Sequence, residues 1–92
     1  MRIEYLNLFH RSIKRLPNDR KENIKLAIKD YITFIETGIK KPGLGLKHLC
    51  GNIWEIRAGI KERVIFRLSN DSVCFLVSGN HDDISNYLKH NY

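Results

Sequence analysis

The sequence predicts an α+β fold: an N-terminal helical hairpin packed on a small curled antiparallel β-sheet, with a short C-terminal helix. Three observations predict it. Residues 5–37 carry apolar side chains at helical spacing, residues 52–79 change to a period of two, and residues 81–90 return to helical spacing. With 92 residues the chain is expected to form one domain, 1–92, because chains this short seldom divide into two cores.

Leu6, Phe9, Ile13 and Leu16 recur at intervals of three and four and make an apolar stripe that ends before Pro17. Asp19 and Glu22 have capping-box spacing, and Ile24, Ile28, Tyr31, Ile32 and Ile35 form a second stripe. Gly38 is the expected helix stop. The short link from Leu16 to Asp19 makes the two helices antiparallel neighbours, and both stripes read as core. Residues 38–51 hold four of the six glycines and Pro42, which predicts a loop. Lys40, Lys41, Lys47 and His48 make that loop basic, and it contains no nucleotide-binding P-loop pattern.

Ile53–Arg57, Arg63–Leu68 and Val73–Val77 read as three strands of a meander, joined by turns at Gly59 and Ser69–Asp71. Arg2–Tyr5 is a candidate first strand. In the last helix Ile84, Tyr87 and Leu88 share one side, Asn80 suits the N-cap, and Asp82 and Asp83 suit the dipole of the first turn.

Composition sets further bounds. The apolar runs are far shorter than the roughly 20 residues that span a bilayer, and the N-terminus lacks the pattern of a secretory signal. A cytoplasmic location is therefore expected, with no membrane partner. Cys50 and Cys74 stand in no metal-ligand spacing, and Cys74 lies in an apolar run where it should pack as a small hydrophobe. The net charge of +6 suits either a polyanion partner or a solubilised surface, and composition alone does not decide between them.

Alternation within the strands adds detail. Trp54, Ile56 and Ala58 point one way, with Val64, Phe66 and Leu68 as their partners toward the helices. Glu55, Arg57, Arg63 and Arg67 then gather on the opposite face, expected to be exposed, in a register that sets Arg57 beside Arg63. Such a group is either a salt-bridge ladder or a phosphate-binding surface whose carboxylate serves as a base. His81 follows the last strand at a solvent-accessible helix entry. His81-Asp82 alone is too little for a metal site, and His10 and His90 read as surface residues. Tyr87 and Tyr92 are candidates for stacking on bases, although Tyr87 also extends the helix's apolar side.

The run Leu46-Lys47-His48-Leu49, Ile53-Trp54-Glu55-Ile56-Arg57, Arg63-Val64-Ile65-Phe66-Arg67, Val73-Cys74-Phe75-Leu76-Val77 and Gly79 resembles the RelE/ParE toxins of type II toxin–antitoxin pairs. The resemblance covers nearly the whole chain and is nearest to the YoeB/RelE-like messenger RNA interferases. It implies a metal-independent endoribonuclease that cuts messenger RNA, commonly at the ribosome, leaving a 2′,3′-cyclic phosphate. It needs no cofactor. By the same resemblance Glu55, Arg63 and His81 are the catalytic residues, and Lys47, Arg57, Arg67 and Tyr87 bind substrate. The acidic pair Asp82-Asp83 beside His81 departs from the family's pattern. The implied partners are a cognate acidic antitoxin, messenger RNA with the ribosome, and operator DNA bound only as the toxin–antitoxin complex. The alternatives within the family are a ParE-like, non-catalytic inhibitor of DNA gyrase and an inactive regulator that binds antitoxin or DNA.

Overall fold

β-Branched and aromatic residues concentrated in the second half of the chain build the centre of the molecule. A computed structural model describes residues 1–92. The elements run β1 (Arg2–Tyr5), α1 (Asn7–Ile13), α2 (Asn18–Thr37), β2 (Lys47–Cys50), β3 (Ile53–Ala58), β4 (Glu62–Leu68), β5 (Ser72–Gly79) and α3 (His81–Asn91). One five-stranded sheet has the order β1-β5-β4-β3-β2. Strands β2 to β5 form an antiparallel meander, and β1 joins β5 in parallel with Ile3 opposite Val73. The α+β architecture and the meander are as the sequence predicts.

Two local readings need correction. The segment 38–51 is not loop throughout, since Lys47–Cys50 pairs with β3 as an edge strand. Most of its side chains are exposed, so no apolar alternation marks it. Asp19 and Glu22 do not form a capping box. Helix α2 already starts at Asn18, with Pro17 as N-cap, and the Pro17 carbonyl accepts the amides of Arg20 and Lys21. Asp19 therefore lies inside the first turn, where its charge suits the dipole but its side chain caps nothing. The C-terminus of α2 is as expected: Gly38, at φ 76°, takes the left-handed conformation and its amide reaches the Phe34 carbonyl.

The sheet carries apolar side chains on both faces. On one face Ile56, Ala58, Val64, Phe66, Val73 and Phe75 pack with Phe9 of α1, with Ile24, Ala27, Ile28 and Tyr31 of α2, and with Leu44 of the preceding loop. On the other, Ile53, Ile65, Cys74, Leu76 and Val77 pack with Ile84 of α3, flanked by Leu8, Leu49, Tyr87 and Leu88. This second core overturns the expectation of an exposed face. The apolar side of α3 needs a partner, and the isoleucines that alternate with the charged residues provide it.

The helical hairpin does not close along its length. Helix α1 sits on β5 and α2 on β3 and β4, leaving an apolar groove of about 640 Å³ floored by Phe9, Ile13, Ile24, Ile28 and Ile32. The N-terminus of α2 is tied to the β3–β4 hairpin by a buried ion pair, Arg20 with Glu62, whose carboxylate side chain is 3% exposed. Hydrogen bonding to Glu62 raises the Arg20 pKa.

Replacing Arg20 with Ala leaves that carboxylate buried and unpaired. A lowered midpoint is expected, measured by urea unfolding.

Candidate active site

Strand pairing places the candidate residues in rows. Lys47, Glu55, Ile65 and Val77 stand opposite one another across β2 to β5, and Arg57, Arg63 and Gly79 make the next row. Directly paired residues share a face, and diagonal neighbours two residues apart are within reach of long side chains. Arg63 uses that diagonal, its Nη1 donating to Glu55 Oε2 at 3.3 Å. His81, the first residue of α3, follows Gly79 by two positions and so enters at the Arg63 end of the sheet.

Burial grades these groups from the inside out. Glu55 is 4% exposed and lies deepest. The Arg63 side chain over it is 24% exposed, while Arg57, Lys47 and His81 are exposed. A buried carboxylate under one guanidinium, with exposed Lys47 and Arg57 at the paired strand positions, suits an anion that approaches from solvent. Solvent exposure of the whole group, expected from alternation, does not hold for Glu55.

The loop before β2 shapes the outer cation. The Arg57 amide donates to the Leu44 carbonyl at 2.8 Å, so the loop continues the edge of β3 beyond β2. Gly45, at φ 64°, lies against the Arg57 stem so closely that a Cβ there would stand 2.8 Å from its Cγ. Leu44, buried in the core, anchors the loop in this position.

The acidic pair beside His81 divides its work. The Asp83 carboxylate accepts the Asn80 amide at 3.0 Å, and the Asn80 side chain accepts the Asp83 amide at 2.8 Å, a reciprocal capping box. Asp83 is thus engaged at the helix end, and only Asp82 leaves a carboxylate unengaged there. Gly79 is required at this junction, because a Cβ would lie 2.5 Å from that of Asp83.

Arg67 and Tyr87 do not join the Arg63 group. Arg67 stands opposite Ile53 and Cys74, four residues along β4 from Arg63 or about 13 Å. Tyr87 is half-buried near it, with the Tyr92 ring centroid at 6.2 Å. Burial pushes the Tyr87 phenol up, Tyr92 adds to this, and Arg67 opposes it. No three His, Cys, Asp or Glu side chains converge as a metal site would require. Sequence reasoning missed Ser12 and Ser78, whose hydroxyls connect α1 to β5 and β5 to the Arg63 carbonyl. A serine ending the apolar run of β5 was the only local signal.

The fold is the one shared by solved toxins of the RelE, YafQ and YoeB/ParE type. A chain of the RelB–RelE antitoxin–toxin complex of Methanococcus jannaschii superposes with a TM-score of 0.69 at 20% identity, over 91% of this chain and 96% of that one. The DinJ–YafQ complex of E. coli gives 0.66 at 17% identity, covering 91% and 98%. A YoeB/ParE toxin from Agrobacterium tumefaciens gives 0.65 at 17% identity, covering 88% and 99%. No family model and no curated protein matches the sequence. No helix is long and apolar enough to cross a membrane.

The two cysteines should behave differently. Cys50 is exposed, while Cys74 is buried and its thiol is pushed above the ordinary 9.0 by burial. One fast-reacting thiol is expected in the native protein and two in denaturant, read with a chromogenic disulfide reagent. Since the unfolded chain releases the Cys74 proton first, the stability this thiol contributes is present below the ordinary thiol range. It is lost as pH rises through the folded value.

Proposed function

We propose that this chain is the toxin of a type II toxin–antitoxin pair and acts as a metal-independent endoribonuclease on messenger RNA. The observation that carries the reading is the buried Glu55 carboxylate with Arg63 at 3.3 Å, with Lys47 and Arg57 at the paired strand positions. The fold shared with toxins solved beside their antitoxins supports the toxin role.

The chemistry follows from where each group sits. An incoming phosphate competes with Glu55 for the Arg63 guanidinium, which suits phosphate oxygens as well as a carboxylate. Glu55, released, takes the proton of the ribose 2′-hydroxyl, and that oxygen attacks the adjacent phosphorus. Arg63, with Arg57 across the strand pair, stabilises the charge that grows on the phosphorane oxygens. His81 protonates the departing 5′-oxygen, leaving a 2′,3′-cyclic phosphate on the upstream fragment. Lys47 and the loop lysines hold the RNA backbone. Arg67 and Tyr87, farther along the same face, bind the flanking nucleotides. The ribosome is the proposed setting because it presents messenger RNA single-stranded.

The proposed partner is an acidic antitoxin, which in complex with this chain binds operator DNA. The groove between α1 and α2 has an apolar floor and is lined by His10, Lys25 and Lys29, with Glu36 as its one acidic residue, a balance that suits an acidic amphipathic segment.

Induced expression should arrest growth, with transcripts cut at mapped positions. Glu55→Ala, Arg63→Ala and His81→Ala are each expected to slow cleavage by about 100-fold or more. Undiminished arrest in all three would sink the catalytic reading. DNA-damage signalling with intact transcripts would favour gyrase as the target. Harmless overexpression would favour an inactive regulator. Reversing the charge of Lys25 and Lys29 together should weaken antitoxin binding about 10-fold while leaving growth arrest unchanged, as measured by titration calorimetry and plating.

A further inference from the structure

Strand β1 ends at Tyr5, opposite Phe75, and the Leu6 amide closes the last rung on the Phe75 carbonyl at 3.0 Å. Strand β5 runs on to Gly79, so its outer edge past Phe75 has no strand beside it. Helix α1 covers that edge, and Ser12 meets it. The Ser12 hydroxyl donates to the Phe9 carbonyl at 2.6 Å and accepts the Ser78 amide at 3.0 Å. Ser78 is 5% exposed, and its own hydroxyl donates to the Arg63 carbonyl at 3.0 Å. A continuous relay therefore runs from the α1 backbone through Ser12 and Ser78 to the peptide of Arg63.

We propose that Ser78 and Ser12 are positioning residues, which fix the backbone of Arg63 so that its guanidinium stands over Glu55 where the phosphate must arrive. The inference rests on the reading of Arg63 as the phosphate-binding group. Two features give the relay this function. Arg63 lies one residue beyond Glu62, which the buried pair with Arg20 fixes on the opposite face of the sheet. With Ser78, opposite Val64, holding the following carbonyl, the backbone on either side of Arg63 is restrained from the face that α1 and α2 cover, leaving the Arg63 side chain on the other. Ser12 in turn makes that restraint depend on α1, because it satisfies an edge amide that no strand reaches. The hydroxyls touch no substrate in this scheme and act only through Arg63.

The test is a double-mutant cycle on single-turnover cleavage of message bound to programmed ribosomes, at saturating and sub-saturating protein. Ser78→Ala is expected to lower the rate constant about five-fold, the worth of one hydrogen bond, with the half-saturating concentration unchanged. The same substitution in an Arg63→Ala background should cost nothing further, because the group it positions is gone. Ser12→Ala should behave as Ser78→Ala does, while Ser12→Thr, which keeps the hydroxyl, should retain wild-type rates. Equal losses from Ser78→Ala in both backgrounds, or no loss in either, would overturn the proposal, since a merely structural serine gives additive effects. An Arg63→Ala protein that cleaves like wild type would instead remove the phosphate-binding role of Arg63 itself, and the relay's purpose with it. Urea midpoints of the single variants show whether a variant is folded under the assay conditions.

Discussion

Strand β4 carries Val64, Ile65 and Phe66 in succession, and none of them has any exposed surface. Successive residues point to opposite faces, so this triplet obliges the protein to cover the sheet on both sides. Helix α2 meets that demand on one face and α3 on the other, with α1 along β5. The order of elements follows from it. A chain that builds a two-faced sheet in its second half needs helices before and after that sheet.

The same constraint decides where charge can reside. With the middle of β4 reserved for apolar side chains, its charged residues are pushed outward, Glu62 and Arg63 to one end and Arg67 to the other. Each buried carboxylate is matched on its own face. Glu62 meets Arg20 on the α2 face and Glu55 meets Arg63 on the α3 face. Pairing of this kind is what makes a carboxylate tolerable in a largely apolar setting, because an unpaired one would cost several kcal/mol. The candidate site is thus the place where the second core gives way to solvent.

Much of this was legible in the sequence. Alternation gave the meander, and a register with Arg57 beside Arg63 keeps Val64 and Phe66 inside, as the pairing has it. Asn80 was readable as a cap and Gly38 as a stop, since both act through local geometry. The covered face was harder. Ile53 and Ile65 alternate with Glu55, Arg57, Arg63 and Arg67, and the charges concealed the apolar rows that α3 occupies. Strand β2 left no pattern because an edge strand buries little. Contacts between distant residues were out of reach of any local reading. Arg20 and Glu62 lie 42 residues apart, Ser12 and Ser78 66 apart, and nothing near either member announces its partner.

The kink in β2 bears on how the protein behaves in concentrated solution. Its pairing with β3 slips between His48 and Cys50, and the strand is only four residues long with Lys47 at its start. A free sheet edge is a template on which another molecule can add a strand and begin a fibril. An edge that is short, bent and cationic offers few aligned amides and repels another copy of the same edge. The neighbouring His48 ring, 4.7 Å from that of Trp54, also shields part of the largest aromatic surface at this margin. Colloidal restraint is thus built into the strand that the sequence pattern conceals.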